Sequence, residues 1–299
     1  MSPVISPKAL SLGKLSLFFC PLEHELLTFE QADSIRRWLP EDELTKVSRY
    51  IQLSDRDKGL MVRGYLRGIL SQVANGSIAS NSHVHCENQS EDISPWEWRF
   101  EYGTKGKPRL IDEQRAKTGI EFNISHSGGW MLVAVIKQAQ GEPVLELGVD
   151  IERYRQSTNI YPILNNYFTQ NESDALLSLP EDKHRDRFFD LWALKESYIK
   201  AKGLGLALSL KSFSFDFTKM KAKELAANIE GESAKILNLF EGIGLNLQRG
   251  ESIKSLDSWS VLFGNLNQDY RFAVSVGPVD SLSVVTHRIN LAKLVSSTF

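Results

Sequence analysis

Cysteine is scarce in this chain, with only Cys20 and Cys86 among 299 residues. Two cysteines provide neither a disulfide framework nor the paired spacing of a structural zinc site. So few cysteines are typical of a reducing compartment. The apolar stretch near the start is interrupted by Pro3, Pro7 and Lys14, which argues against a signal peptide. We therefore expect a cytoplasmic protein.

Long hydrophobic runs and an excess of one charge are also missing. No run of about 18 apolar residues occurs, so the sequence predicts no transmembrane helix. The 35 basic and 37 acidic side chains leave a formal net charge of -2. No overall field therefore attracts the chain to nucleic acid or to a membrane, and any affinity for an anion must come from a local cluster. We expect a monomer.

Three common sequence motifs are absent: the G-x-S-x-G elbow, the Walker A loop and the G-x-G-x-x-G fingerprint. Their absence argues against an α/β-hydrolase serine, ordinary nucleotide hydrolysis and dinucleotide redox chemistry. No repeat of fixed period occurs either. With 42% hydrophobic and 24% charged residues, the composition is that of a globular protein with a full core.

The periodicity of apolar residues predicts an α+β protein. Strand patterns occur at residues 15–20, 96–102, 120–125, 130–136, 145–152, 213–217, 258–263, 270–276 and 282–289, and helical patterns at 40–73, 160–180 and 189–203. A polar break at residues 138–143 divides the chain into an N-terminal half, residues 1–140, and a C-terminal half, residues 141–299. Each half is expected to pack helices on a small, mostly antiparallel sheet.

The most informative helical segment is residues 189–203, FDLWALKESYIKAKG, which ends at a glycine. Lys195 falls within its apolar arc, where a lysine requires an anionic partner. Glu196 and Lys200 lie one above the other at the edge of that arc. They can form a surface ion pair, or they can hold a metal and a phosphate together.

The strand pattern at residues 145–152, LELGVDIE, places Asp150 and Glu152 on one face, about 6.6 Å apart along the backbone. Two carboxylates at this spacing can converge on a hard cation such as Mg²⁺ or Mn²⁺. The alternative is an exposed strand face that carries acids. Gly148, on the same face, leaves room for a large group to approach.

Two further stretches offer groups that can bind an anion. Residues 125–129, SHSGG, combine a histidine and hydroxyls with glycines that leave backbone N–H groups accessible to a phosphate. A Ser–His hydrolase pair is the alternative there. Arg56, Arg63 and Arg67 recur along another helix, as an anion site or as a solvated face. Residues 83–86, HVHC, in a polar loop, are weak evidence for a metal site.

Three stretches in fixed order resemble the signature motifs of the 4'-phosphopantetheinyl transferases, of the surfactin-synthetase-activating type. They are residues 123–128 (NISHSG), 148–152 (GVDIE) and 192–200 (WALKESYIK). The turn at residues 102–108 and the segment 42–67 also resemble the N-terminal half of that family. The resemblance implies a pseudo-twofold pair of similar α/β halves with the active site between them.

The same resemblance implies an activity. Such an enzyme transfers the phosphopantetheine arm of coenzyme A, its co-substrate, to a serine of an apo acyl, polyketide or peptidyl carrier protein. It releases adenosine 3',5'-bisphosphate and uses Mg²⁺. The alternatives are a metal-dependent hydrolase of a pyrophosphate bond and a non-catalytic binding module for coenzyme A or a nucleotide.

Residue roles follow from the resemblance by motif. It implies Asp150, Glu152 and Glu196 as metal ligands; Glu196 as general base, with His126, Lys195 and Lys200 as catalytic phosphate contacts; and Lys46, Arg49, Lys107, Pro108, Ser125, His126 and Lys200 as coenzyme-binding residues. The chain departs from the family pattern at Glu43, where a lysine is expected. Recognition of the 3'-phosphate is therefore expected to differ in detail.

Overall fold

The computed structural model describes residues 13–22, 27–77, 92–139, 141–142, 144–229, 235–247, 259–279 and 282–297. The weak metal-site candidate at residues 83–86 lies outside these ranges.

Eight α-helices lie in the described part of the chain. They are α1 (Phe29–Trp38), α2 (Glu41–Ser48), α3 (Leu53–Ala74), α4 (Asp112–Thr118), α5 (Ile160–Tyr167), α6 (Gln170–Leu177), α7 (Glu181–Lys202) and α8 (Leu291–Ser296). The helix predicted at residues 189–203 lies in the second part of α7, which ends at Gly203 in the left-handed conformation. None of these helices is both long enough and apolar enough to cross a membrane.

Thirteen strands accompany them. They are β1 (Gly13–Pro21), β2 (Phe100–Tyr102), β3 (Pro108–Leu110), β4 (Ile120–Ser127), β5 (Trp130–Lys137), β6 (Glu146–Arg153), β7 (Phe213–Asp216), β8 (Lys221–Ile229), β9 (Lys235–Glu241), β10 (Gly244–Leu247), β11 (Ser260–Asn267), β12 (Tyr270–Gly277) and β13 (Leu282–Arg288). The strand predicted over residues 96–102 is wrong in its first part. Pro95 begins a short 3-10 helix there, with a Ser94–Glu97 capping box, because proline suits a first helical turn.

Nine strands form one sheet, in the order β4-β5-β1-β13-β8-β9-β11-β12-β6. The N-terminal half contributes the antiparallel block β4-β5-β1, and the C-terminal half contributes the other six strands. Parallel pairing of β1 with β13 joins the two blocks. The predicted mixed α/β class is confirmed, while the boundary near residue 140 and the twofold relation between the halves stay predictions.

The sheet curls so that its two edge strands, β4 and β6, lie side by side. Three side chains of β4 connect them: Asn123 Oδ1 accepts from Val149 N (2.9 Å), Ser125 Oγ donates to Asp150 Oδ1 (2.9 Å), and Ser127 Oγ donates to Glu152 Oε2 (3.3 Å). Because these three side chains occupy every second position of β4, they lie on one face of the strand. The strands β4 and β6, which carry two of the predicted motifs, are therefore direct neighbours.

The hydrophobic core consists of three clusters around this sheet. One packs α1, α3 and α8 on β1, β4 and β5. A second fills the interior of the curl, between β1, β5, β6 and β12. The third packs α5, α6 and α7 on β7, β11 and β12. Helix α7 is thereby fixed against the C-terminal block, directly beside β6.

Candidate active site

Helix α7 lies unusually close to strand β6, and Gly148 permits this approach. A Cβ atom at Gly148 would lie 2.0 Å from the carbonyl oxygen of Ser197 and 2.2 Å from the backbone nitrogen of Ala201. The large group that the sequence predicted beside Gly148 is therefore the helix itself, and not a ligand. This contact brings the acidic face of β6 together with Glu196 and Lys200.

Asp150 is the centre of the resulting cluster. Its side chain is buried, and its Oδ1 atom accepts hydrogen bonds from Ser125 Oγ (2.9 Å) and Lys200 Nζ (2.6 Å). Lys200 Nζ also donates to Ser125 Oγ (2.7 Å). The other carboxylate oxygen, Oδ2, is buried without a hydrogen-bond partner. A strand and a helix of the C-terminal half and a strand of the N-terminal half thus meet at one carboxylate.

The neighbouring carboxylates, Glu152 and Glu196, are held in an environment that disfavours their charge. Burial, followed by the charge of Asp150, raises the pKa of Glu152 to about 7. Burial and then the charge of Asp150 also raise the pKa of Glu196. The three acids therefore repel one another, as expected for groups that a cation would compensate.

The carboxylates of Asp150, Glu152 and Glu196 do not converge on one metal position. Among the described residues, no group of three or more carboxylate, imidazole or thiol side chains reaches metal-binding geometry. The ammonium group of Lys200 lies on Asp150 instead. The metal triad predicted from the sequence consequently stays a prediction.

A cavity of about 420 Å³ opens beside this cluster. Its lining combines aromatic and apolar side chains with cationic ones, and includes Tyr50, Val62, Arg63, Phe100, Tyr102, Gly106, Pro108, Ile124, Ser125, His126 and Lys200. A volume of this size is typical of a small-molecule site. Of the predicted coenzyme-binding residues, Pro108, Ser125, His126 and Lys200 line the cavity.

His126 faces the cavity with an exposed side chain. Partial desolvation in the cavity, and then the charges of Lys200 and Lys58, lower its pKa. The neutral ring therefore prevails near neutral pH until an anion arrives. An incoming phosphate would raise this pKa again, because an opposite charge favours the imidazolium.

Two cations predicted to bind the coenzyme lie outside the cavity wall. Lys46 is exposed, pairs with Asp42 at 3.0 Å within α2 and lies over the ring of Tyr102. Its side chain therefore borders the cavity through an aromatic residue that lines it. Arg49 is also exposed, just after α2, and is not among the lining residues.

The turn at Gly128 and Gly129, which was predicted to bind a phosphate, contacts Tyr270 instead. The N–H of Gly129 donates to Tyr270 Oη at 2.8 Å. Gly128 has φ +56, and a Cβ there would lie 2.4 Å from the same hydroxyl. This N–H group is thus occupied by a tyrosine of β12, and the prediction that it serves a phosphate is wrong. Of this stretch, Ser125 and His126 line the cavity.

The structure contradicts the catalytic role predicted for Lys195. Its side chain is fully buried and forms an ion pair with Glu172 Oε2 at 2.9 Å. It also donates to the carbonyl oxygens of Leu210 (2.7 Å) and Phe213 (2.8 Å). Lys195 does have the anionic partner that its apolar position requires, but the partner is a carboxylate of α6. A substrate phosphate cannot reach it.

The arginine stripe of α3 divides into two different environments. Arg67 is buried, donating to Glu43 Oε1 at 2.7 Å and to the carbonyl oxygens of Pro95 and Trp98. Arg63, with a side chain 20% exposed, reaches the cavity and lies 3.6 Å from Glu43. Glu43 and Arg67 also line the cavity, so Glu43 is a structural anion within the cavity wall. Its burial depends on tertiary contacts that helical periodicity does not reveal.

Comparison with known proteins agrees with the predicted class. Residues 146–245 match the family model described as the 4'-phosphopantetheinyl transferase superfamily. This stretch runs from β6 through α7 to β10 and contains Asp150, Glu152, Glu196 and Lys200. The resemblance recognised from the sequence motifs is thereby confirmed.

Individual relatives have the same description. The chain is 29% identical over 173 residues to 4'-phosphopantetheinyl transferase HetI of Nostoc sp., covering 58% of this chain and 63% of the relative. It is 30% identical over 177 residues to 4'-phosphopantetheinyl transferase ffp of Bacillus subtilis, covering 59% and 66%. It is 38% identical over 105 residues to 4'-phosphopantetheinyl transferase Sfp of Bacillus subtilis strain 168, covering 35% and 41%. The chain thus spans less than two thirds of the length of each relative.

Proposed function

We propose that this protein transfers the 4'-phosphopantetheine arm of coenzyme A to a serine of an apo carrier protein. The observation that carries the proposal is the contact of Ser125, Asp150 and Lys200 at one end of a cavity with an aromatic wall. Phosphoryl transfer depends on positioned charge more than on covalent chemistry of the protein. A lysine and acids beside a small-molecule cavity provide such charge.

The reaction needs one proton acceptor and one charge stabiliser. The carrier serine oxygen forms a bond to the phosphorus of phosphopantetheine as the bond to adenosine 3',5'-bisphosphate breaks. Glu196 is proposed to accept the serine proton, which its raised pKa favours. Lys200 is proposed to stabilise the negative charge that develops on the pyrophosphate.

The acidic face of β6 fits a divalent cation in one specific respect. The Oδ2 atom of Asp150 is buried without a partner, which is costly unless a ligand completes it. We propose that Asp150, Glu152 and Glu196 hold Mg²⁺, or Mn²⁺ in its place, because hard cations prefer oxygen ligands. When bound, such an ion supplies positive charge to the pyrophosphate oxygens.

The coenzyme is proposed to lie along the cavity. Tyr50, Phe100 and Tyr102 offer flat apolar surface for an adenine ring, and His126 and Lys200 offer positive charge to the pyrophosphate. Arg63 and Lys46 are proposed for the 3'-phosphate. We further propose a cytoplasmic location, on the grounds of the low cysteine content.

A transfer assay tests the proposal. Coenzyme A labelled in its pantetheine arm is incubated with Mg²⁺ and a panel of apo fatty-acid, polyketide and peptide carrier proteins. We expect label on one or more carriers in a serine-dependent manner. Release of free phosphopantetheine without a carrier would instead indicate a hydrolase, and binding without turnover would indicate a binding module.

The 3'-phosphate site has its own test, with coenzyme A compared to dephospho-coenzyme A. Arg63→Ala and Lys46→Ala should each weaken the preference for the phosphorylated form, because each removes a cation proposed to contact the 3'-phosphate. Arg37→Ala, which removes an exposed cation of α1 that pairs with Asp33 and does not line the cavity, is the control. Unchanged discrimination in Arg63→Ala would place the 3'-phosphate elsewhere.

A further inference from the structure

The hairpin β2–β3 and the end of helix α7 come from opposite halves, and one side chain joins them. Lys107 lies in the hairpin turn, directly before Pro108. Its Nζ atom donates to the carbonyl oxygen of Leu147 in β6 (2.9 Å) and to that of Ala201 in α7 (2.8 Å). Its alkyl stem covers Gly203, where a Cβ atom would lie 3.3 Å from Lys107 Cδ.

Both carbonyl groups need a partner that their own element does not supply. Ala201 belongs to the last turn of α7, whose carbonyl oxygens have no intrahelical donor. Leu147 belongs to β6, an edge strand of the nine-stranded sheet, and edge strands leave backbone groups unpaired. A lysine at a helix C-terminus also interacts favourably with the negative end of the helix dipole. The ammonium group therefore satisfies three requirements at once.

The hairpin itself is a stiff support for this contact. Gly103 N donates to Lys107 O at 2.9 Å, and Gly106 N donates to Gly103 O at 2.8 Å. Gly106, with φ +83, allows the tight turn. Gly106 and Pro108 line the cavity beside the site, so a displacement of Lys107 would displace the cavity wall.

On the other side of the contact lies Lys200, one residue before Ala201. A fixed Ala201 carbonyl fixes the helical turn that carries Lys200. We infer that Lys107 is a positioning residue that ties the cavity wall of the N-terminal half to the Lys200 turn of the C-terminal half. Its ammonium group makes this contact, and its predicted role in coenzyme binding is left to the hairpin backbone and Pro108.

The tie can be tested without any substrate, by amide hydrogen exchange in the full-length protein. In Lys107→Met, the amides of Gly106 and Gly203 should exchange roughly tenfold faster, since two hydrogen bonds to buried carbonyl groups are lost. Lys107→Gln should fall between, and Lys107→Arg should stay near wild type. Lys105→Met, which removes an exposed lysine of the same turn, should leave both amides unchanged.

A second arm rests on the proposed function and measures coenzyme A affinity by calorimetry and steady-state kinetics. Lys107→Met should raise Kd and KM for coenzyme A roughly tenfold, with a smaller effect on kcat, and Lys107→Arg should restore KM. This split separates positioning from a loss of folded protein.

The possible results of these experiments distinguish a positioning role of Lys107 from other roles. Wild-type exchange rates at Gly106 and Gly203 in both the Met and Gln variants would overturn the tie. An equal acceleration at core amides such as that of Val133 would overturn it too, because the residue would then contribute to global stability alone. Faster local exchange in a protein that binds no coenzyme A would support the tie and refute the proposed function.

Discussion

The carboxylate of Asp150 is buried, but only one of its oxygens has hydrogen-bond partners, Ser125 and Lys200. The isosteric change Asp150→Asn removes its charge and keeps its shape. We expect at least a hundredfold loss of transfer rate, because a charged ligand and a partner of Lys200 are both lost. Calorimetric titration with Mn²⁺ or Mg²⁺ should show weakened binding independently of activity.

Glu146→Gln is the matched control for this change. Glu146 lies on the same strand and face, and pairs with Lys202 at 2.7 Å, away from the cavity lining. The Glu146→Gln variant should bind the metal as tightly as wild type does. Equal metal affinity in Asp150→Asn and wild type would exclude Asp150 as a ligand.

Lys195 and Glu172 form the most deeply buried ion pair of the described residues, with side chains 0% and 2% exposed. Lys195→Met leaves Glu172 charged without its cation. We expect a loss of about 3–5 kcal/mol in the free energy of unfolding, as for one-sided removal of a buried pair. Urea denaturation measures this loss.

The double variant Lys195→Met with Glu172→Gln distinguishes charge from packing. It should recover much of the lost stability, because no unpaired charge remains in the core. If the double variant were as unstable as the sum of the two single variants, the pair would not interact as the structure indicates.

Among the elements, the pair β6 and α7 depends on the missing side chain of Gly148. Gly148→Ala places a methyl group within contact of the α7 backbone, which cannot yield as a flexible side chain would. We expect a destabilisation of about 2 kcal/mol or more, since overpacking against backbone forces the helix outward. Transfer activity should fall as well, because Glu196 and Lys200 move with the helix.

Gly103→Ala is the control for that variant. A Cβ atom at Gly103 has its nearest neighbour at 3.7 Å, and its φ is not in the left-handed region. Its thermal unfolding midpoint should stay within a few degrees of wild type. An unchanged midpoint in Gly148→Ala would show that α7 is not held as closely as the structure has it.

For the molecule as a whole, the acids of the site predict how stability changes with pH. The folded protein retains a proton on Glu152 up to about pH 7, whereas the unfolded chain releases it near 4.5. Between these values the folded state binds more protons, so the free energy of unfolding falls as pH rises. Without metal, Glu152→Gln should flatten this fall by roughly 1–2 kcal/mol, allowing for solvent screening.

Urea denaturation at pH 5 and pH 7.5, with and without Mg²⁺, measures the effect. Mg²⁺ should stabilise wild type more at pH 7.5, where its proposed ligands are ionised. Identical slopes for wild type and Glu152→Gln would show that Glu152 does not titrate as described.

Local sequence signals predicted much of this molecule. The carboxylate alternation in β6, the glycine stop of α7 and most strand positions follow from periodicity and capping, which act over a few residues. The anion beside Lys195, the helix backbone against Gly148 and the hydroxyl of Tyr270 on Gly129 come from distant segments. The sequence indicated that Lys195, Gly148 and Gly129 each have a neighbouring group. Only the tertiary arrangement determines which group that is.

The pairing of β1 with β13 has a consequence for folding during synthesis on the ribosome. Gly13 pairs with Leu282, so almost the whole described chain must be synthesised before the middle of the sheet can close. Until then, one edge of β1 exposes unpaired backbone groups beside apolar side chains, a surface prone to aggregation. Pairing between residues this far apart in sequence also slows folding. During synthesis β1 therefore stays without its β13 partner until nearly all of the described chain has been made.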